Sequence, residues 1–213
     1  MGAPANSCGQ HCARLRDREG LVEEAVTTLL TTLDVTEVVE RTGALLRSHF
    51  GGTRLGITRW DADRPNEAEI LLVDDPRHPT PASGTRISLA GTACGEAIRT
   101  REPVTLEHLA PQGGLYPEEA SLAHYGYGAM ACFPLLADDR VLGTLEIAHV
   151  PPDGILCQCF QPAERIARLI GIALHNSEMV AEIQRLNRLL HRENARLKDE
   201  VQRHRRYNQP LSL

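Results

Sequence analysis

The spacing of apolar positions along the chain predicts helices near its two ends and strands between them. Apolar residues three and four positions apart predict helices over 17–33, 35–49 and 162–206. Asp34 precedes the second of these segments and has the side chain of a helix cap, so we expect that helix to begin at residue 35. Apolar or alternating segments of strand length predict strands over 53–60, 68–75, 85–90 and 103–106.

The strongest strand signal is a hairpin in the second half of the chain. The segments YGAMACFPLL (127–136) and RVLGTLEIAHV (140–150) are apolar and are joined by ADD. A short helix is predicted over 91–100, and a helical turn is predicted after Pro117 within a long connection, 107–126. PPDGILCQC (151–159) is predicted to be a loop. Because the strands follow one another as hairpins, we expect an α+β fold, with an antiparallel sheet and helices on its faces.

The last predicted helix is too long for a body of this size to cover, since 162–206 would span roughly 60 Å. Its far part carries a stripe at intervals of three and four residues, typical of a coiled coil. The stripe consists of Ile183, Leu186, Leu190, Asn194, Leu197 and Val201. We therefore predict a homodimer through this helix, with Asn194 fixing the register.

These patterns divide the chain into four parts. We expect a flexible leader over 1–16, a folded body over 17–178, a coiled-coil helix over 179–207 and a disordered tail over 208–213. The formal net charge is −5, although 181–206 holds eight basic and four acidic residues. This balance gives no electrostatic basis for binding nucleic acid. No apolar run reaches the roughly 18 residues of a membrane span, and the first residues do not resemble a signal peptide. We therefore expect no membrane association and a cytoplasmic location.

Six cysteines in a cytoplasmic chain are expected to be reduced rather than paired in disulfides. Cys94, in GTACGEAIRT, falls at the start of the short helix over 91–100, where the thiolate is favoured. Strand alternation places Cys132 and Met130 on one face of their strand, and Ala131 and Phe133 on the other. Both thiols are interpreted as apolar packing or as the wall of a ligand pocket.

The other four cysteines lie outside the predicted sheet and helices. Cys8, Cys12, Cys157 and Cys159, with His11, would suit zinc or an iron–sulfur cluster if the leader folded back onto the 151–159 loop. Ordering such a leader costs roughly 1–2 kcal/mol per residue. We therefore favour free thiols and no metal cofactor, with a metal or iron–sulfur redox sensor as an alternative.

Three of the four tyrosines fall in or just after the long connection, 107–126, together with two histidines. Long connections within a compact domain are often functional, and imidazole and phenol groups are ordinary ligand contacts. The predicted ligand-binding residues are Cys94, His108, Tyr116, His124, Tyr127, Cys132 and His149.

Two segments resemble the GAF domain family, the small-molecule sensing modules: ACFPLLADDRVLGTLEIAHV (131–150) and GEAIRTREPVTLEHL (95–109). EIQRLNRLLHRENARLKDEV (182–201) and LLTTLDVTEVVE (29–40) resemble the sensory part of formate-hydrogenlyase-activator-like, sigma-54-dependent regulators. The resemblance implies a non-enzymatic sensor that relays ligand binding through a dimeric helix to a transcription-activating output domain. Since no GxxxxGK[ST] motif is present, we expect this chain by itself neither to hydrolyse ATP nor to bind DNA.

An enzymatic alternative comes from GTACG (91–95), which is similar to the G-x-x-C-G of GAF-type free-methionine sulfoxide reductases. In that family the catalytic cysteine lies in the following long loop, whereas 107–126 contains no cysteine. A thiol redox enzyme is therefore the alternative rather than the prediction. The sequence leaves the ligand open among formate, a 2-oxo acid, a gas bound through a metal, and none.

Overall fold

A computed structural model describes residues 23, 25, 27, 34–49, 53–75, 77–149 and 155–207 of the protein. Its elements in chain order are α1 (Val35–His49), β1 (Arg54–Trp60), β2 (Glu67–Asp74), β3 (Arg86–Ser88), α2 (Ala93–Thr100), β4 (Val104–Leu106), α3 (Glu118–His124), β5 (Ala129–Ala137), β6 (Arg140–His149) and α4 (Ile155–Tyr207). The leader, 1–16, and the tail, 208–213, lie outside the described residues. Of the predicted helix over 17–33, only Glu23, Ala25 and Thr27 are described, and they are helical.

The strands form one antiparallel sheet in the order β3-β2-β1-β6-β5-β4, which confirms the predicted α+β architecture. The predicted hairpin is β5–β6, and β6 then pairs with β1 at the centre of the sheet. Asp34 caps α1 as predicted, because its Oδ1 accepts the backbone N–H groups of Thr36 at 2.8 Å and Glu37 at 3.1 Å.

The sheet carries a different layer on each face. On one face, Phe133 and Leu135 of β5 belong to a core with α1 and the first part of α4, where Ile166 and Ile170 are fully buried. On the other face, Met130 and Cys132 belong to a second core with α2 and α3. The two faces of β5 therefore alternate as predicted, and β5 is shared between the two cores.

The start of the long helix is a correction to the sequence analysis. The apolar spacing predicts a start at Pro162 and a loop over 151–159. In the structure α4 begins at Ile155, and Pro162 lies inside it. Because proline has no backbone N–H, the helix lacks one hydrogen bond there. The backbone of Cys157 and Cys159 is therefore helical rather than part of a loop.

Metal binding by the outlying cysteines stays an open alternative. Cys8 and Cys12 fall outside the described residues, and the structure does not describe the side chains of Cys157 and Cys159. Within the described part of the chain, no group of three or more His, Cys, Asp or Glu side chains is arranged to hold a metal ion.

The predicted projection of α4 is confirmed. Its side chains pack on the sheet up to Ser177, which is buried, whereas every side chain from Ala181 to Arg203 is exposed. Whether this projecting part pairs with a second copy stays a prediction. No helix among the described residues is both long and apolar enough to cross a membrane.

Candidate functional site

A half-open cavity of about 250 Å³ lies beside the second core. Its walls come from the ends of β1, β2 and β6, from the loop after β2 and from α3. The polar side chains that line it include Arg54, Asp75, His78, Glu118, Tyr125 and Glu146. It therefore lies where the sheet, a connecting loop and a short helix meet, which is a common position for a ligand site.

Arg54 is the cationic centre of this cavity. Its guanidinium forms ion pairs with Glu146 and with Asp75, the latter at 3.7 Å from Nε to Oδ2. The side chain of Arg54 is 20% exposed, that of Glu146 14% and that of Asp75 4%, so the charges lie mostly out of water. Burial lowers the pKa of Arg54, and Asp75 opposes that shift. Arginine still keeps its charge, and the group holds two carboxylates in place.

Asp75 is held as a carboxylate by several donors. The Tyr127 hydroxyl donates to its Oδ1 at 2.7 Å, and the same oxygen accepts the N–H groups of Arg77 at 2.9 Å and His78 at 3.2 Å. Burial by itself raises the pKa of Asp75, but these hydrogen bonds and the charge of Arg54 outweigh it, so the pKa is lowered. Burial and the bond to Asp75 raise the pKa of Tyr127, which therefore stays a donor.

Two thiols from distant parts of the sequence meet behind Glu146. The Cys132 thiol donates to Cys94 Sγ at 3.5 Å, and the Cys94 thiol lies 3.8 Å from Glu146 Oε2. The bond from Cys132 lowers the pKa of Cys94 against the opposing effect of burial. The same bond, with burial, raises the pKa of Cys132. Both cysteines are free and buried.

The helix that carries Cys94 begins at Ala93, and Cys94 lies in its first turn as the sequence predicts. The Thr92 hydroxyl caps α2 by accepting the N–H of Gly95 at 3.0 Å, and Cys94 is the second residue of the helix. A second acceptor at this end is Glu118 of α3, whose Oε1 takes the Ala93 N–H at 2.6 Å. Glu118 therefore joins α3 to the start of α2.

The opposite oxygen of Glu118, Oε2, is buried and has no hydrogen-bond partner. At the rim, the ring of Tyr125 stacks on that of His78 with 3.9 Å between centroids. This stack joins the end of α3 to the loop after β2, so the rim is built from two separate segments.

None of the seven residues predicted to bind a ligand lines this cavity. Tyr127 and Cys94 each contact a side chain that does, namely Asp75 and Glu146, and Cys132 lies behind Cys94. The other four differ in position: Tyr116 packs half-buried against the second core, His149 is half-buried at the end of β6, and His108 and His124 are exposed. Their role in ligand binding stays a prediction.

Sequence reasoning missed the four charged residues that define the cavity, Arg54, Asp75, Glu118 and Glu146. One signal was available, because Glu146 interrupts the otherwise apolar strand LGTLEIAHV. It lies in register with Gly56 and Cys132 on the neighbouring strands. A charge in a central strand requires a partner.

A larger groove of about 960 Å³ lies at the β1–β2 turn and at the turn of the β5–β6 hairpin. Three of its basic side chains are paired with acidic neighbours: Arg59 with Glu69 at 2.7 Å, Arg86 with Glu67 at 3.9 Å and Arg99 with Glu96 at 2.5 Å. Most of its lining is exposed. The smaller cavity is the better candidate because its charged groups converge and are largely buried.

Comparison with known proteins relates the chain to one domain type. A family model described as GAF domain matches residues 17–174. No curated protein matches the chain.

Several solved structures share its fold. The free methionine-R-sulfoxide reductase of Neisseria meningitidis, in complex with its substrate, is 17% identical with a TM-score of 0.61, over 76% of this chain and 91% of that one. The A. aeolicus nlh2 GAF domain, in an inactive state, is 14% identical with a TM-score of 0.62, over 76% and 98%. The GAF domain of the Acinetobacter phosphoenolpyruvate-protein phosphotransferase is 12% identical with a TM-score of 0.62, over 78% and 97%.

Proposed function

This chain belongs to the GAF domain family, and from that premise we propose that it senses a small ligand in the cavity around Arg54 and passes the signal to α4. One observation carries the proposal. The cavity gathers an arginine and three carboxylates, mostly out of water, on the face of the sheet opposite the one that packs against α4. Burying charged groups costs desolvation free energy, and such groups are concentrated at binding and catalytic sites.

The route from cavity to helix runs through the sheet. Cys132 of β5 faces the cavity side, while Phe133 and Leu135 of the same strand pack in the core that contains Ile166 and Ile170 of α4. A ligand that binds more tightly to one position of β5 and β6 than to another shifts the position of the helix. The ligand must therefore have a different affinity for the two arrangements.

The output is proposed to be a homodimeric coiled coil formed by the projecting part of α4. Its apolar side chains are about half exposed, for example Ile183 at 54% and Leu190 at 61%. On the resemblance of the helix to sigma-54-dependent regulators, we propose a cytoplasmic sensor that controls a transcription-activating domain. It acts without a metal cofactor and without touching nucleic acid or membrane itself.

Native mass spectrometry of freshly purified, anaerobically handled protein tests this proposal directly. We expect twice the chain mass, together with a small non-covalent ligand that is released when the protein is unfolded. The same spectrum would reveal zinc or an iron–sulfur cluster. A ligand-free dimer that gains no mass from a metabolite extract would instead indicate a module for dimerisation only.

A second candidate function is reduction of methionine sulfoxide, favoured by the paired thiols of Cys94 and Cys132 and by the fold shared with the Neisseria reductase. Such turnover would oxidise two thiols to a disulfide and release water and methionine. Against it, the two thiols are buried, and 107–126 has no cysteine.

We therefore expect that the wild-type chain and Cys94→Ser both leave free methionine sulfoxide at the buffer baseline in a thiol-coupled assay. A known reductase assayed in parallel shows that the assay works. Turnover by the wild type that disappears in Cys94→Ser would contradict the proposed sensor and favour the enzyme.

A further inference from the structure

The stripe of the projecting part of α4 matches the two inward positions, a and d, of a coiled-coil repeat. Position d lies three residues after a, and the next a lies four residues after d. One additional step of four, from Leu190 to Asn194, interrupts the repeat without moving the stripe off its face. The residues at a are Ile183, Leu190, Asn194 and Val201, and those at d are Leu186 and Leu197. Ile or Val at a with Leu at d favours two strands among parallel coiled coils.

The two flanks of the stripe differ in charge. The residues just before each a position, called g, form an acidic flank that consists of Glu182, Leu189, Glu193 and Glu200. The residues just after each d position, called e, are Asn187 and Lys198. Among the described side chains, no basic residue lies at g and no acidic residue lies at e. A second copy of the helix therefore meets different charges depending on its direction.

The two possible directions bring different flanks together. In a parallel pair, each g residue lies beside the e residue of the second copy five positions further along the chain. Glu193 then lies beside Lys198 of the second copy, and the same contact forms again with the roles of the copies exchanged. In an antiparallel pair, g lies beside g, so glutamates of the two copies repel each other. The flank charges therefore favour the parallel direction.

Both members of this pair are free to make it. Glu193 accepts Arg196 of its own helix at 2.7 Å, and its carboxylate has lone pairs for a further donor. Lys198 is exposed and makes no ion pair with any residue that the structure describes. An exposed ion pair adds little stability by itself, so its main effect is on orientation.

We propose that the projecting parts of two copies form a parallel, in-register coiled coil, in which Glu193 of each copy pairs with Lys198 of the other. Asn194 of the two copies then lies side by side, as a polar residue at a that fixes the register does. This inference rests on the proposed homodimer and specifies its geometry. Both bodies lie at one end of the coiled coil, and both helices leave at the other end together.

Cysteine cross-linking of the full chain tests the direction. Leu186→Cys and Leu197→Cys, as separate variants, are each expected to form a disulfide-linked dimer on mild oxidation, because parallel in-register helices bring each d position next to its own copy. These positions are eleven residues, or roughly 16 Å, apart, so an antiparallel pair can bring only one of them next to its copy. Gln184→Cys, on the opposite face, is the control. Peptide mass spectrometry separates the new link from links through the native cysteines.

Lys198→Glu tests the ion pair. It replaces two attractive contacts of the dimer by two repulsive ones, so we expect the dissociation constant to rise roughly tenfold at low ionic strength. Glu193→Lys added to Lys198→Glu exchanges the charges and is expected to recover most of this loss. Arg192→Glu makes the same change of charge on the outer face of the helix and is the matched control. Sedimentation equilibrium measures all four proteins, including the wild type.

Three results would overturn the inference. In the first, the wild type is a dimer, but only one of Leu186→Cys and Leu197→Cys, or neither, cross-links. In the second, Lys198→Glu dimerises as tightly as Arg192→Glu does. In the third, the wild type is a monomer at micromolar concentration, which removes the homodimer as well. Ligand sensing is judged separately by native mass spectrometry, since a retained ligand does not depend on the direction of the helices.

Discussion

Leu186→Glu combined with Leu190→Glu is expected to convert a dimer into a monomer whose body stays folded. Both leucines lie on the stripe of the projecting helix, and they are 46% and 61% exposed in the single chain. A dimer would remove these side chains from water, worth roughly 1.5–3 kcal/mol for each leucine that becomes fully buried. Four glutamates in the seam would instead bring like charges together.

The expected loss is at least about 4 kcal/mol of association free energy, or roughly a thousandfold in the dissociation constant. Sedimentation velocity at micromolar concentration measures it directly. The body should keep its thermal unfolding transition, because every side chain from Ala181 to Arg203 is exposed and contributes little to the core.

Gln184→Glu with Ala195→Glu is the matched control for this variant. It also replaces two neutral residues by glutamate, but on the helix face opposite the stripe, so it should remain dimeric. Intrahelical ion pairs such as Arg185 with Glu182 at 2.7 Å are kept in both variants. A stripe variant that sediments as a dimer would contradict the coiled-coil proposal.

Gly171→Ala is expected to destabilise the body by about 1–3 kcal/mol, the usual cost of overpacking a core. In an isolated helix the same change would stabilise by roughly 0.8–1 kcal/mol, since glycine is a poor helix former. Here α4 lies so close to β5 that a Cβ at this position would fall 2.5 Å from the carbonyl oxygen of Leu136 and 2.8 Å from its nitrogen. These are backbone atoms, which cannot swing away as a side chain can.

Urea unfolding followed by circular dichroism measures the change, and Asn176→Ala is the control. Asn176 is exposed on α4 five residues further on, so its replacement should act through helix propensity alone and stabilise by a few tenths of a kcal/mol. If Gly171→Ala also stabilised the protein, the close packing of α4 on Leu136 would be wrong.

Local patterns in the sequence determined most of the fold. Apolar periods placed the elements, the Asp34 side chain identified the start of α1, and alternation assigned Cys132 and Phe133 to opposite faces of β5. The predicted start of α4 was wrong. Proline can stand in the first turn of a helix or, less often, inside one, and in the structure the helix continues through Pro162. The patterns that succeeded depend on residues within one or two turns of each other, and the sequence displays these directly.

Only the tertiary structure decided what surrounds the cavity. Arg54 and Glu146 are 92 positions apart, and Cys94 and Cys132 are 38 apart, yet the side chains touch. Strand pairing and the packing of α2 and α3 bring them together, and no local period encodes which strand lies beside which. The sequence therefore determined that this chain folds into a sheet with helices on both faces and a long projecting helix. The tertiary structure decided that a charged cavity lies between the sheet and α3, because burial forces charges from distant segments to pair.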